Sequence, residues 1–165
     1  MFFNSNSKVS YKNKHFLIMS APDDNTINTA LQDMKENNVK ILVRTCEPTY
    51  TETLINDHNI EVVNLAFPDG QNPPQAIIKQ WTNLIKVHFK QEENKDTRIG
   101  IHCVAGLGRA PVLVGIALIE EGMKPHDAIN FIRERRQGAL NHKQADFLLK
   151  YRRKEAGVAC QCTIF

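Results

Sequence analysis

The stretch from Arg98 to Pro111, Arg-Ile-Gly-Ile-His-Cys-Val-Ala-Gly-Leu-Gly-Arg-Ala-Pro, constrains the fold of this chain more than any other. The short apolar run ending at Cys103 has the look of a buried strand. The apolar segment from Pro111 to Ile119 reads as a buried helix with Pro111 near its first turn. The turn between them, Val104, Ala105, Gly106, Leu107, Gly108 and Arg109, therefore sits at a helix N-terminus. Gly106 and Gly108 can take the positive φ values that curl such a loop until successive N–H groups point inward.

A cradle of this kind suits a dianion. Its converging amides, the positive end of the helix dipole and the guanidinium of Arg109 would all favour a thiolate at Cys103, and a thiolate beneath a bound phosphoryl group is a ready nucleophile. Arg109 suits the equatorial oxygens of a transferred group, because its planar fork donates two parallel hydrogen bonds and Lys cannot. Cys-x5-Arg arises often by chance. The preceding strand, His102, the two glycines and the following helix together make the catalytic reading the stronger one.

The rest of the chain supplies the frame. Val9–Tyr11 and His15–Met19 flank Lys12-Asn13-Lys14 as an opening hairpin, and Asp24 or Asn25 can cap a helix from Thr26 that ends at Asn37-Asn38. A strand at 39–43, a short helical segment around 51–57 and a second strand at 60–65 follow. Asn72-Pro73-Pro74 then starts a long amphipathic helix through Ile77, Ile78, Trp81, Leu84, Ile85 and Phe89, with Trp81 as core. Helices at 124–136 and from 141 to about 155 complete the pattern, with Phe147, Leu148 and Tyr151 facing inward. Strands alternating with helices imply a mostly parallel sheet, whose carboxyl end is where Cys103, Cys46 and Asp69 all fall.

A length of 165 residues with no linker or internal repeat suits a single domain. No long apolar stretch is present and residues 1–10 lack the order of a signal peptide, so neither secretion nor a membrane span is expected. The net charge of +3 is uneven, because the segment 133–154 holds eight Lys or Arg against two acidic residues. A solvated helix face explains this as well as a partner would. Nucleic-acid binding is not expected, since no aromatic-interleaved motif accompanies the charge. The four cysteines, Cys46, Cys103, Cys160 and Cys162, have no Cys-x-x-Cys or paired His spacing, so neither a metal nor another cofactor is expected.

The segment from Cys103 to Arg109 matches the signature loop of protein tyrosine phosphatases. The longer string from His102 to Pro111 resembles the phosphatase-of-regenerating-liver family, also called type IVA, and the similarity runs over nearly the whole chain. The resemblance implies an α/β fold of the tyrosine/dual-specificity phosphatase type, with helices flanking the sheet, as a phosphatase domain at 1–155 and a tail at 156–165. It also implies hydrolysis of phosphomonoesters through a phosphocysteine, the substrate being a phosphoprotein or a phosphoinositide. Cleaving such an ester requires a carboxylic acid on a movable loop. Phe67-Pro68-Asp69-Gly70 resembles the family's acid loop, with Pro68 in place of its first aspartate, and makes Asp69 the candidate; a plain turn aspartate is the alternative. His102 is either a supporting group for the thiolate or a structural strand-end histidine. Ala110 stands where most tyrosine phosphatases place Ser or Thr, which implies slow turnover.

The remaining expectations come partly from the resemblance and partly from the residues at the tail. Cys46, in Val-Arg-Thr-Cys, reads from sequence alone as a buried bystander; the family implies a reversible disulfide with Cys103. Cys162-Thr163-Ile164-Phe165 has the C-a-a-X form, its terminal Phe pointing to geranylgeranyl more than farnesyl, and Cys160 is a candidate for a second lipid. Beside the basic cluster, a lipid would hold the chain on the anionic cytoplasmic face of the plasma membrane or endosomes, and leave it cytosolic if unprenylated. Relatives form membrane-bound trimers. They also bind the cystathionine-β-synthase-pair domains of cyclin M magnesium transporters, which makes a binding module the rival reading and Arg133, Arg135 and Arg136 its candidate contacts.

Overall fold

A computed structural model of the chain describes residues 6–153. Cys160, Cys162 and the tail at 156–165 lie outside the described residues. Two strands, β1 (Ser7–Tyr11) and β2 (Lys14–Ser20), form the expected hairpin around Lys12-Asn13. They are followed by α1 (Ile27–Glu36), β3 (Val39–Arg44), α2 (Glu52–Asn56), β4 (Glu61–Asn64), α3 (Gln75–Lys90) and a 3-10 turn at Glu92–Asn94. The last four elements are β5 (Arg98–Cys103), α4 (Arg109–Glu120), α5 (Pro125–Arg135) and α6 (His142–Lys150).

The five strands stand in the order β1-β2-β5-β3-β4, antiparallel at the first pair and parallel elsewhere. The central strand β5 is thus the one that delivers Cys103. Because side chains alternate across a strand, the sheet has two apolar faces. Phe16, Ile18, Val43, Ile99 and Ile101 meet Trp81, Ile85 and Phe89 of α3 and the whole length of α4. Leu17, Met19, Val39 and Leu42 meet Ile27, Leu31 and Met34 of α1 and Ile55 of α2. Every residue of α4 from Arg109 to Ile119 is buried, so this helix is apolar all round, as expected for one enclosed by α3, α5, α6 and the sheet.

Two expectations change at element ends. The start of α1 is organised by Asp23 and not by Asp24 or Asn25. The Asp23 Oδ1 accepts the Thr26 N–H at 2.9 Å, the Thr26 hydroxyl at 2.8 Å and the Asn25 N–H at 3.0 Å. These bonds hold its carboxyl below the ordinary aspartate range. The last helix stops at Lys150, well short of 155; Tyr151 leaves it in extended backbone and donates its hydroxyl to Glu120 at 2.6 Å.

Trp81 is wholly buried and donates its indole N–H to the Leu113 carbonyl at 2.6 Å, tying α3 to the helix behind the loop. We expect Trp81→Ala to lower stability by about 3–5 kcal/mol, read as a fall in the urea midpoint, since it removes both this bond and a large core volume.

Candidate active site

The loop Val104–Arg109 joins the end of β5 to the start of α4, and its geometry follows from where its carbonyls are held. The Val104 carbonyl accepts the Ala21 N–H at 2.9 Å, from the residue just beyond β2. The Ala105 and Gly106 carbonyls accept from the Arg136 guanidinium, Nη2 at 3.1 Å and Nε at 2.5 Å. The Leu107 carbonyl accepts the Leu140 N–H at 2.8 Å, and the Gly108 carbonyl accepts the Val112 N–H at 3.1 Å as the first bond of α4. In a trans peptide the N–H points away from the preceding carbonyl. With five successive carbonyls engaged by surrounding structure, the amides of Ala105 through Arg109 are turned to the opposite side, which is the cradle an anion requires.

The two glycines serve this loop differently. Gly106 has φ +68° and no room for a side chain, since a Cβ there would lie 2.3 Å from the Met19 carbonyl oxygen and 2.6 Å from Arg136 Nη2. Gly108 lacks the expected positive φ: it sits at φ −124° and ψ −84°, where a Cβ would come within 3.0 Å of Gln144 Nε2. Gln144 belongs to a capping box with Asn141, whose side chain accepts the Gln144 N–H at 2.8 Å while Gln144 Oε1 accepts the Asn141 N–H at 3.1 Å. The box holds the Leu140–Asn141 turn against the loop. Its Asn-x-x-Gln pattern before an apolar run is readable in sequence as a helix start.

Arg109 is buried, and its Nη1 donates to the Thr45 carbonyl at 3.3 Å and the Phe67 carbonyl at 3.2 Å. One guanidinium thereby joins the loops after β3 and β4 to the start of α4. Asp69 lies across from it, Oδ1 3.3 Å from Arg109 Nε, with a side chain 80% exposed. That contact is an ion pair without hydrogen-bond alignment, and the buried Nε N–H makes no hydrogen bond. Asp69 Oδ1 also accepts the Gly70 N–H at 3.0 Å. Its loop rests against α6 through Lys143, which donates to Gln71. The structure therefore brings Cys103, Arg109 and Asp69 to one end of the sheet.

His102 is fully buried on the other side of Cys103. Its Nε2 lies 2.7 Å from the Tyr50 hydroxyl, and its Nδ1 lies 3.3 Å from the Cys103 carbonyl and 3.8 Å from Cys46 Sγ. Burial pushes its pKa down to about 4, with the bond to the Cys103 carbonyl opposing. Burial also pushes the Tyr50 hydroxyl up to about 12. Tyr50 thus keeps its proton and donates to Nε2, leaving Nδ1–H to face the carbonyl. Nothing local in the sequence marks Tyr50 for this role. Cys46 is buried as a free thiol; burial raises its pKa, Arg109 opposes the shift, and Cys103 adds to it. Ala110 is fully buried in the first turn of α4.

The three arginines named as partner contacts separate. Arg133 donates to the carbonyls of Ala139 at 3.1 Å and Leu140 at 2.9 Å, and the Arg135 guanidinium stacks 3.4 Å from the Phe131 ring centroid. Arg136 corrects its expectation: it is 3% exposed, because the chain leaves α5 there and turns the side chain under the Val104–Arg109 loop, so it is no surface contact.

Comparison with known proteins agrees with this geometry. Residues 24–154 match the family "Dual specificity phosphatase, catalytic domain". The chain is 47% identical over 148 residues to the human protein tyrosine phosphatase type IVA 3, covering 90% of this chain and 84% of that one. It is 46% identical over 146 residues to the Drosophila melanogaster PRL-1 phosphatase, covering 88% and 82%. The chain belongs to the type IVA protein tyrosine phosphatases. A solved protein tyrosine phosphatase from Leishmania major superposes with a TM-score of 0.80 at 38% identity, covering 90% of this chain and 99% of that one. The type IVA protein described here is accordingly a cysteine-based phosphatase built on a single dual-specificity catalytic domain.

The buried, neutral His102 makes stability depend on pH. With its pKa near 4 in the fold and about 6.5 unfolded, the unfolded chain takes up a proton that the native protein does not. Stability from this group is complete above about pH 6.5 and falls as pH drops toward 4, by about 2–3 kcal/mol at pH 4.5. We expect urea denaturation at pH 7.5 and 4.5 to show a smaller loss in His102→Gln than in the wild type by about that amount.

Proposed function

We propose that Cys103 attacks the phosphorus of a phosphomonoester while the Ala105 to Arg109 amides and the Arg109 guanidinium hold the equatorial oxygens. The observation that supports this best is the outward anchoring of five successive loop carbonyls, which turns the amides to one side. Asp69 gives its proton to the leaving oxygen, so the ester leaves as an alcohol and the phosphoryl group stays on sulfur. Asp69 then takes a proton from the water that hydrolyses the phosphocysteine, and returns to its acid form. The exposure of Asp69 and its ion-pair contact to Arg109 support this assignment, since they put the carboxyl beside the loop arginine and open to solvent. Without a hydroxyl at Ala110 to stabilise the departing sulfur, the second step limits turnover. A phosphoprotein is the substrate we favour over a phosphoinositide.

Cys46 supports a redox switch at the same centre. Peroxide oxidises the Cys103 thiolate to a sulfenic acid, and the Cys46 sulfur displaces its oxygen as water to form a disulfide, which a dithiol reduces. A second reading, a pocket that grips a carboxylate of a cyclin M domain, is supported by the Asp69 carboxylate 3.3 Å from Arg109 Nε, with Arg133 held on the Leu140 carbonyl beside the loop. The C-a-a-X sequence at Cys162, with Cys160 beside it, supports lipid anchoring at the anionic cytoplasmic leaflet, where trimers would assemble.

Asp69→Ala should slow hydrolysis of an alkyl or peptide phosphate by about a hundredfold or more, and that of an aryl phosphate with a good leaving group by far less. Equal losses on both would remove Asp69 from the acid role, and Cys103→Ser should abolish turnover of either. In cells, Cys162→Ser should move the protein from membrane to soluble fractions with its activity on a small soluble substrate intact. Membrane binding that survives the change would refute the anchor.

A further inference from the structure

We infer that Arg136 is a positioning residue of the phosphate loop, holding its amides inward and setting a second fixed positive charge behind the bound anion. The inference rests on the phosphatase reading and adds to it a residue outside the signature sequence. Arg136 lies 27 positions beyond Arg109, yet its guanidinium takes the two carbonyls at the middle of the loop, Gly106 at 2.5 Å and Ala105 at 3.1 Å. The same group reaches the sheet, donating through Nη1 to the Ser7 hydroxyl at 3.1 Å and the Ile18 carbonyl at 3.5 Å. It is therefore a strut between β1, β2 and the loop, and a shift of its position would rotate the Ala105–Gly106 and Gly106–Leu107 peptides.

The choice of a charged donor is informative. Neutral amide side chains also donate to carbonyls, whereas a guanidinium brings a charge with its fork of donors, here seated on the carbonyl side of the loop. Burial lowers the pKa of Arg136, and the charge of Cys103 opposes that shift. Arginine remains protonated at any ordinary pH, so the charge is permanent. Gly106 is part of the same device, since a Cβ there would stand 2.6 Å from Nη2. Arg109 faces the anion from within the cradle and Arg136 supports it from behind.

The test uses the full chain and tungstate as a tetrahedral dianion, with affinity measured by titration calorimetry and the alkylation rate of Cys103 by iodoacetamide measured from pH 4 to 9. Arg136→Met, of similar length and uncharged, should bind tungstate at least about tenfold more weakly and shift the alkylation profile to higher pH, with its circular dichroism retained. Arg136→Lys restores the charge without the fork, so the alkylation profile should return while tungstate affinity stays severalfold reduced. A folded Arg136→Met that matches the wild type in both measurements overturns the inference. If Arg136→Met does not fold, Arg136→Lys decides: unchanged tungstate affinity overturns the positioning role. Arg109→Met is the control for the site itself. Loss of binding there with none at Arg136 rejects only this inference, whereas wild-type binding in both variants rejects the phosphate site as well.

Discussion

The site depends on one restraint, that the carbonyls of Val104 through Gly108 are all engaged on the outside of the loop. Amides crowded around one point repel each other and lose water, so a free chain would not hold them there. Each outward bond contributes about 0.5–1.5 kcal/mol net, and a buried carbonyl left without its donor would cost about 1–3 kcal/mol. The donors come from Ala21, Arg136, Leu140 and Val112, that is, from the end of β2, the end of α5, the turn before α6 and α4 itself. The cradle is thus assembled largely by the tertiary fold, with Gly106 supplying the one backbone conformation that the loop's own sequence must allow.

The rest of the molecule can be understood as what keeps those donors in register. Helix α4 is buried on all sides, so it cannot slide without opening the core between α3, α5 and the sheet. The central strand β5 is hydrogen-bonded on both edges, which fixes Cys103 relative to Ser20. Arg109 then ties in the loops beyond β3 and β4. By donating to both the Thr45 and Phe67 carbonyls it holds the Asp69 loop by its backbone, apart from the ion pair to the Asp69 carboxylate.

What could be read in the sequence were features with a local cause. The strand, turn and helix around Cys103 were legible because apolar periodicity and two glycines lie within a few residues of each other, and the fold class followed from the alternation of strands and helices. Arg136 was misplaced because a basic run gives no sign of which member turns inward; that is decided where α5 ends and the chain departs at φ −141°. Tyr50 was missed because its partner, His102, is 52 residues away and no periodicity links them. Gly108 shows no positive φ, although glycine allows one; what crowds a side chain there is the Gln144 amide, 3.0 Å from where a Cβ would stand.

The two sides of Cys103 differ in charge for a reason that bears on how the site behaves with pH. On the side of the loop stand guanidinium groups, Arg109 at its end and Arg136 behind its carbonyls, a type of side chain that is protonated at any ordinary pH. On the other, His102 is enclosed by Tyr50, Cys46 and the Cys103 carbonyl, and its pKa near 4 keeps it neutral. Had the positive potential come from a histidine titrating near neutrality, anion affinity would fall over the pH range in which the phosphate itself becomes a dianion. By assigning charge to arginines and hydrogen bonding to the histidine, the fold keeps the cradle's potential constant as pH changes. His102 thereby orients the end of β5 through the Cys103 carbonyl without entering the proton inventory of the reaction.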